Sequence, residues 1–176
     1  MVSIDSYFNE MLSCGENYNH WVARALKHLP ISVLAKNKDK LYFVSTAHRD
    51  GSRLARMNCE NREVIVLSER ILPKKGANLG DDDVRYFVFV VLHETVHAIK
   101  KHKSSKFDSL SDEEVQAQED EADSLALEWF NAYVDAQNNP YMKKLTVEEI
   151  EAARARNKQR MEDLYNGIDR DFRAPD

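Results

Sequence analysis

The sequence predicts an α+β domain, mostly helical, with a small sheet preceding one long buried helix. Three observations predict it. Apolar residues recur at helical spacing over long stretches, short β-prone runs lie between the first two of them, and two capping boxes mark later helix starts. The chain has 176 residues, an ordinary size for one domain. The expectation is a single domain over 1–176, with its core at about 31–138.

The first helix is predicted over 4–29. Ile4, Phe8, Met11, Leu12, Tyr18, Trp21, Val22, Ala25, Leu26 and Leu29 share its spacing, with a possible break at Gly15 and a stop at Pro30. Extended segments are predicted at 31–35, 41–46 and 63–67, separated by turn-rich pieces at 36–40 and 49–52. A loop over 73–80 leads to Asp81, Asp82 and Asp83, which offer a cap and negative charge to a helix N-terminus. The stretch from Val84 is rich in Val and Phe. It continues to Lys103 without a breaker, so it reads as a helix, apolar on nearly every side and buried. Ser111 with Glu114 opens a helix to about Asn138. Thr146 with Glu149 opens a last, highly charged helix over 146–166, with the tail beyond Gly167 fraying.

Composition excludes several functional classes. Thirty acids against 25 bases leave a net charge of −5, so no basic field for nucleic acid is expected. Cys14 and Cys59 are too few for a disulfide scaffold and read as reduced thiols of a cytoplasmic protein. The longest apolar run, residues 86–92, is far short of the roughly 20 residues of a spanning helix. The N-terminus lacks the basic start and long apolar stretch of a secretory signal, so no membrane partner is expected.

The informative residues are His93-Glu94-Thr95-Val96-His97. On a helix, positions i and i+4 lie one above the other, and both imidazoles reach one ion at about 2.0–2.1 Å. On a strand they would be roughly 13 Å apart. Glu94 is turned about 100° from His93, beside such an ion, where it can hold a water. A catalytic zinc site needs a third protein ligand and an open position. Glu119 and Asp123 share one face of the next helix, so Glu119 can be that ligand and Asp123 can accept the remaining N–H of His93. Ala122 and Ala126 are small enough for the two helices to approach closely. An acidic pair is weak evidence alone, because residues 111–130 hold eight acids and no base.

HETVH followed by EDEAD resembles the gluzincin metallopeptidases, in which HExxH on one helix is completed by a Glu on the next. Within that group the chain looks most like the ImmA/IrrE-type metallopeptidases. The resemblance covers about 63–130, with Val96 where many relatives have Gly. It implies a zincin-like fold, in which an edge strand such as 63–67 borders the cleft. It also implies one Zn²⁺ per chain at His93, His97 and Glu119, with Glu94 as general base. The metzincin pattern is absent, because Lys100 and Lys103 stand where it needs Gly and His.

The reading is a zinc-dependent peptidase acting on a protein or peptide. Two rivals are a non-catalytic zinc-containing binding protein and a metal-independent interaction module using the acidic and C-terminal helices. His48, Tyr141, Tyr165 and Tyr42 are candidate oxyanion donors. Tyr133 lies about 21 Å along the helix from Glu119 and is not one. The cluster Lys100, Lys101, His102, Lys103 and Lys106 reads as cations favoured by a helix C-terminus. His20 and His28 read as surface or helix-face residues, and Trp21 and Trp129 as core.

Overall fold

The computed structural model describes residues 12–13, 16–46, 52–59, 62–74, 76–78, 80–103 and 108–171. The protein is mostly helical with one small mixed sheet. It divides into two compact units, Met1–Lys144 and Leu145–Asp176. The candidate site belongs to the first.

The elements of the first unit are β1 (Leu12–Ser13), α1 (Glu16–Leu26), α2 (Ile31–Asn37), β2 (Leu41–Thr46), β3 (Ser52–Cys59), β4 (Arg62–Ser68), α3 (Asp82–Lys100) and α4 (Asp112–Gln137). The strands lie in the order β1-β2-β4-β3. β1 and β2 are parallel, as are β2 and β4, which align Leu41 with Glu63 through Thr46 with Ser68. β3 runs antiparallel to β4, with a register shift between Leu54 and Cys59. Strand β4 is therefore interior rather than the expected edge strand, and its Val64, Ile65 and Leu67 are buried accordingly. The edge on that side is β3, with β1 at the other; periodicity did not reveal β3, because the irregular register breaks the alternation that would mark a strand.

Two further expectations are corrected. Residues 31–35 form a helix, not a strand. Leu34 donates to the carbonyl of Pro30, which sits at the N-cap, and no side chain of α2 is buried. The β-preference of Ile, Val and Leu reflects packing on a half-buried sheet, and among the described residues no α2 side chain is buried in that way. Leu12 and Ser13 belong to a strand rather than the first helix, because β2 offers them a parallel partner. Positions 4–11, Cys14 and His48 lie outside the described residues.

Helix α3 forms the centre of the first unit. It packs against α1, α4, β3 and β4. Phe87, Val91, Leu92 and Val96 are fully buried, as expected of a helix apolar all round. Tyr18 of α1 meets Phe87 edge-on at 5.8 Å and donates its hydroxyl to the Ser68 carbonyl at 2.6 Å, linking α1 and β4. At the helix start, Asp81 occupies the N-cap, but its carboxylate accepts from the backbone N–H of Asn78, while Asp82 pairs with buried Arg85 at 2.8 Å. The capping box at Ser111 and Glu114 forms as expected, and Trp21 and Trp129 are buried.

The second unit contains α5 (Val147–Asp171). Thr146 and Glu149 exchange the two capping-box hydrogen bonds. The helix continues through Gly167 to Asp171, beyond the predicted end at 166.

His28 is buried, contrary to expectation. It follows α1 and sits against Phe130 and Tyr133 of α4, with ring centroids at 5.3 and 4.0 Å. Its Nδ1–H faces the carbonyls of Arg24 and Ala25, both at 3.2 Å. Burial pushes its pKa down to about 4, outweighing those carbonyls. The unfolded chain binds this proton below about 6.5 and the folded chain only below about 4. His28 should therefore cost stability as pH falls through that window, by about 3 kcal/mol in full. Denaturant unfolding of wild type and His28→Phe across pH 4–7 tests it: the slope attributed to His28 should disappear in the variant.

Candidate metal centre

The site begins on α3. Helical geometry stacks His93 and His97 on one face, with their rings 4.6 Å apart and their Nε2 atoms 3.0 Å apart. His93 and Glu94 are buried and His97 is half-buried. Such polar groups inside an apolar helix need partners, and α4 supplies those of the two histidines.

Helix α4 presents Glu119 to both rings. One carboxylate oxygen lies 3.4 Å from His93 Nε2, and the other lies 3.5 Å from His97 Nε2. Ala122 and Ala126 are fully buried on this helix, which keeps the approach to α3 close. Tetrahedral coordination at about 2.0–2.2 Å implies ligand atoms about 3.3 Å apart. One donor atom from each of the three residues lies within 4.8 Å of the others, so modest side-chain adjustment would bring them to that spacing. His93, His97 and Glu119 are thus a group that could hold a metal ion, and two imidazoles with one carboxylate suit a divalent transition metal.

Asp123, one turn beyond Glu119, places Oδ1 2.8 Å from Nδ1 of His93, a close ion-pair contact that is off the line of a hydrogen bond. This is the location expected for a carboxylate that orients a ligating histidine. The same carboxylates make the site attractive to cations. Burial disfavours a charged His93, but Asp123 and Glu119, together with the charge of Glu94, push its pKa up to about 9. The contact with His93 holds the Glu119 carboxyl below its usual range, against burial and the charge of Asp123.

One residue read as a simple helix-end cation belongs to this cluster. His102 is buried, with Nδ1 2.9 Å from Nδ1 of His97 and Nε2 2.9 Å from Oε2 of Glu121. Lys100 pairs with the other oxygen of Glu121 at 2.5 Å, so it too is part of the helix–helix contact. Lys100 and His102 hold the Glu121 carboxyl below its usual range. Helical periodicity does not reveal His102, because the helix ends before it. The available signal was a histidine two residues beyond the last helical turn. Among the proposed oxyanion donors, Tyr141 is 83% exposed and Tyr42 is half-buried on β2. Tyr133 is engaged with His28.

Two outcomes follow from this geometry. In the metal-free protein, protonated His93 stabilises the fold fully below about pH 6.5, and that contribution is lost as pH rises through about 9. A divalent ion must displace this proton. Its apparent affinity should rise about tenfold per pH unit from 7 to 9 and then level off, as read by competition with a chromophoric chelator. Separately, Asp123→Ala should weaken metal affinity about 10–100-fold while leaving all three donors in place. Unchanged affinity in that variant would remove Asp123 from the site.

No family model, curated protein or solved structure matches this chain.

Proposed function

We propose that the protein is a zinc-dependent metallopeptidase of the gluzincin type, most similar to the ImmA/IrrE-type enzymes, acting on a protein or peptide with narrow specificity. The observation that carries the reading is the donor count. Among the described residues, the metal-capable group has three donors, not the four that close a structural zinc site. A neighbouring carboxylate, Glu94, lies outside that group and next to His93 in sequence, where it would serve for proton transfer.

Bound zinc would polarise the scissile carbonyl and acidify a water molecule. His93, His97 and Glu119 would hold the ion, and Asp123 would orient His93. Glu94 would accept a proton from the attacking water and deliver it to the leaving amine. The net charge of −5 supports a protein or peptide substrate over nucleic acid. Among the described residues, no helix is long and apolar enough to cross a membrane.

Wild type should bind one Zn²⁺ per chain, and His93→Ala or His97→Ala should abolish tight binding. Glu94→Gln keeps the side chain's shape but cannot take the proton. It should retain zinc while losing about 10²–10⁴ in rate. Fragment profiles of native lysates treated with wild type or Glu94→Gln, with and without chelator, provide the readout. Identical profiles with zinc present in both would favour the scaffold reading. Failure of wild type to take up zinc after reconstitution would favour the metal-independent module.

A further inference from the structure

Helix α3 ends in a turn that folds the chain back over its own last residues. Lys101 adopts the left-handed conformation at φ 56°. The N–H of Lys101 donates to the Ala98 carbonyl and that of His102 donates to the His97 carbonyl, at 3.2 and 3.0 Å. This pair of bonds is the Schellman arrangement, which reverses the chain within two residues. It brings His102 beside His97.

Helix α4 then clamps the turn. Gln118 accepts from the Lys103 N–H at 2.7 Å and donates to the Lys103 carbonyl at 3.4 Å. Glu121 takes the far nitrogen of His102 and, through its second oxygen, Lys100. The turn, the two helices and the side chains of Gln118, Glu121 and Lys100 thus set one imidazole against another.

The proton arrangement in this chain is constrained. His97 directs Nε2 toward Glu119 and His93, so ligation there requires Nε2 bare and the proton on Nδ1. That Nδ1–H has the Nδ1 of His102 2.9 Å away as its acceptor. With Nδ1 accepting, His102 carries its proton on Nε2, where Glu121 accepts it at 2.9 Å. All three groups are satisfied by one assignment, and reversing either ring breaks a hydrogen bond.

We infer that His102, backed by Glu121, is the positioning residue that holds His97 in its metal-ligating tautomer, as Asp123 does for His93. The inference rests on the metal reading of His93, His97 and Glu119, but not on peptidase activity. It gives the two histidine ligands different supports: a carboxylate directly for one, and a histidine relaying a carboxylate for the other. An imidazole acceptor adds no negative charge beside His97, whereas a second direct carboxylate would add one. It also fixes the ring plane of His97 through its own rigid geometry.

The test uses zinc-loaded full-length protein. ¹⁵N-edited NMR of the imidazoles reads the tautomers in wild type without any substitution. His97 should carry its proton on Nδ1 and His102 on Nε2; a His102 protonated on Nδ1 alone would overturn the inference. Zinc affinity by chelator competition is the second readout. His102→Phe preserves a ring but removes the acceptor, and should lose about 10–100-fold in affinity. His102→Asn restores an acceptor and should recover part of that loss, which a purely space-filling role would not produce. Equal affinities for wild type and His102→Phe would reject the relay while leaving the metal site intact. Absence of zinc binding by wild type would instead reject the metal reading on which it rests.

Discussion

A helix that is apolar on nearly every side must be surrounded by protein, and α3 carries His93 and Glu94 into the interior along with its Phe, Val and Leu residues. Burying such groups without partners costs several kcal/mol each. The rest of the first unit meets that constraint. Glu119 and Asp123 of α4 face His93, and Ala122 and Ala126 keep the two helices close enough for those contacts. The sheet and α1 cover the remaining apolar surface, tied together by Tyr18 on Phe87 and Ser68.

The acids around α3 outnumber what its histidines neutralise. Glu94, Glu119 and Asp123 bring three carboxylates to a pair of imidazoles. In the absence of metal, the nearest available cation is a proton, and His93 holds one up to about pH 9. A proton satisfies only one ring. A divalent ion at the common focus of His93, His97 and Glu119 would satisfy three donors together, which is the electrostatic case for a metal centre. The same arrangement leaves Glu94 outside the group of three donors.

The end of α3 shows how a local motif serves a distant site. A non-glycine residue in the left-handed region costs roughly 1–2 kcal/mol, and Lys101 occupies it. The two Schellman bonds and the clamp by Gln118 and Glu121 offset that strain. The result is that the loop residue His102 is buried, with one ring nitrogen against His97 of α3 and the other against Glu121 of α4.

Local rules made the chemistry of the site legible in the sequence. The four-residue spacing of His93 and His97, the matching spacing of Glu119 and Asp123, and the capping boxes at Ser111 and Thr146 all depend on helix geometry, which acts within a turn. The uniformly apolar α3 was legible for the same reason, since a helix with no polar face can only be buried. What sequence could not decide depended on partners far along the chain. Residues 31–37 form a helix with no side chain buried, whereas Leu12 and Ser13 extend because β2 receives them. Strand β4 became interior only through β3, whose shifted register hides its alternation. His28 is neutral and buried because Phe130 and Tyr133, about a hundred residues away, close over it. His102 joins the metal cluster because a reversed turn and Glu121 place it there. Backbone hydrogen bonding within a turn is written in neighbouring residues, while burial and strand pairing are settled only when the chain meets itself.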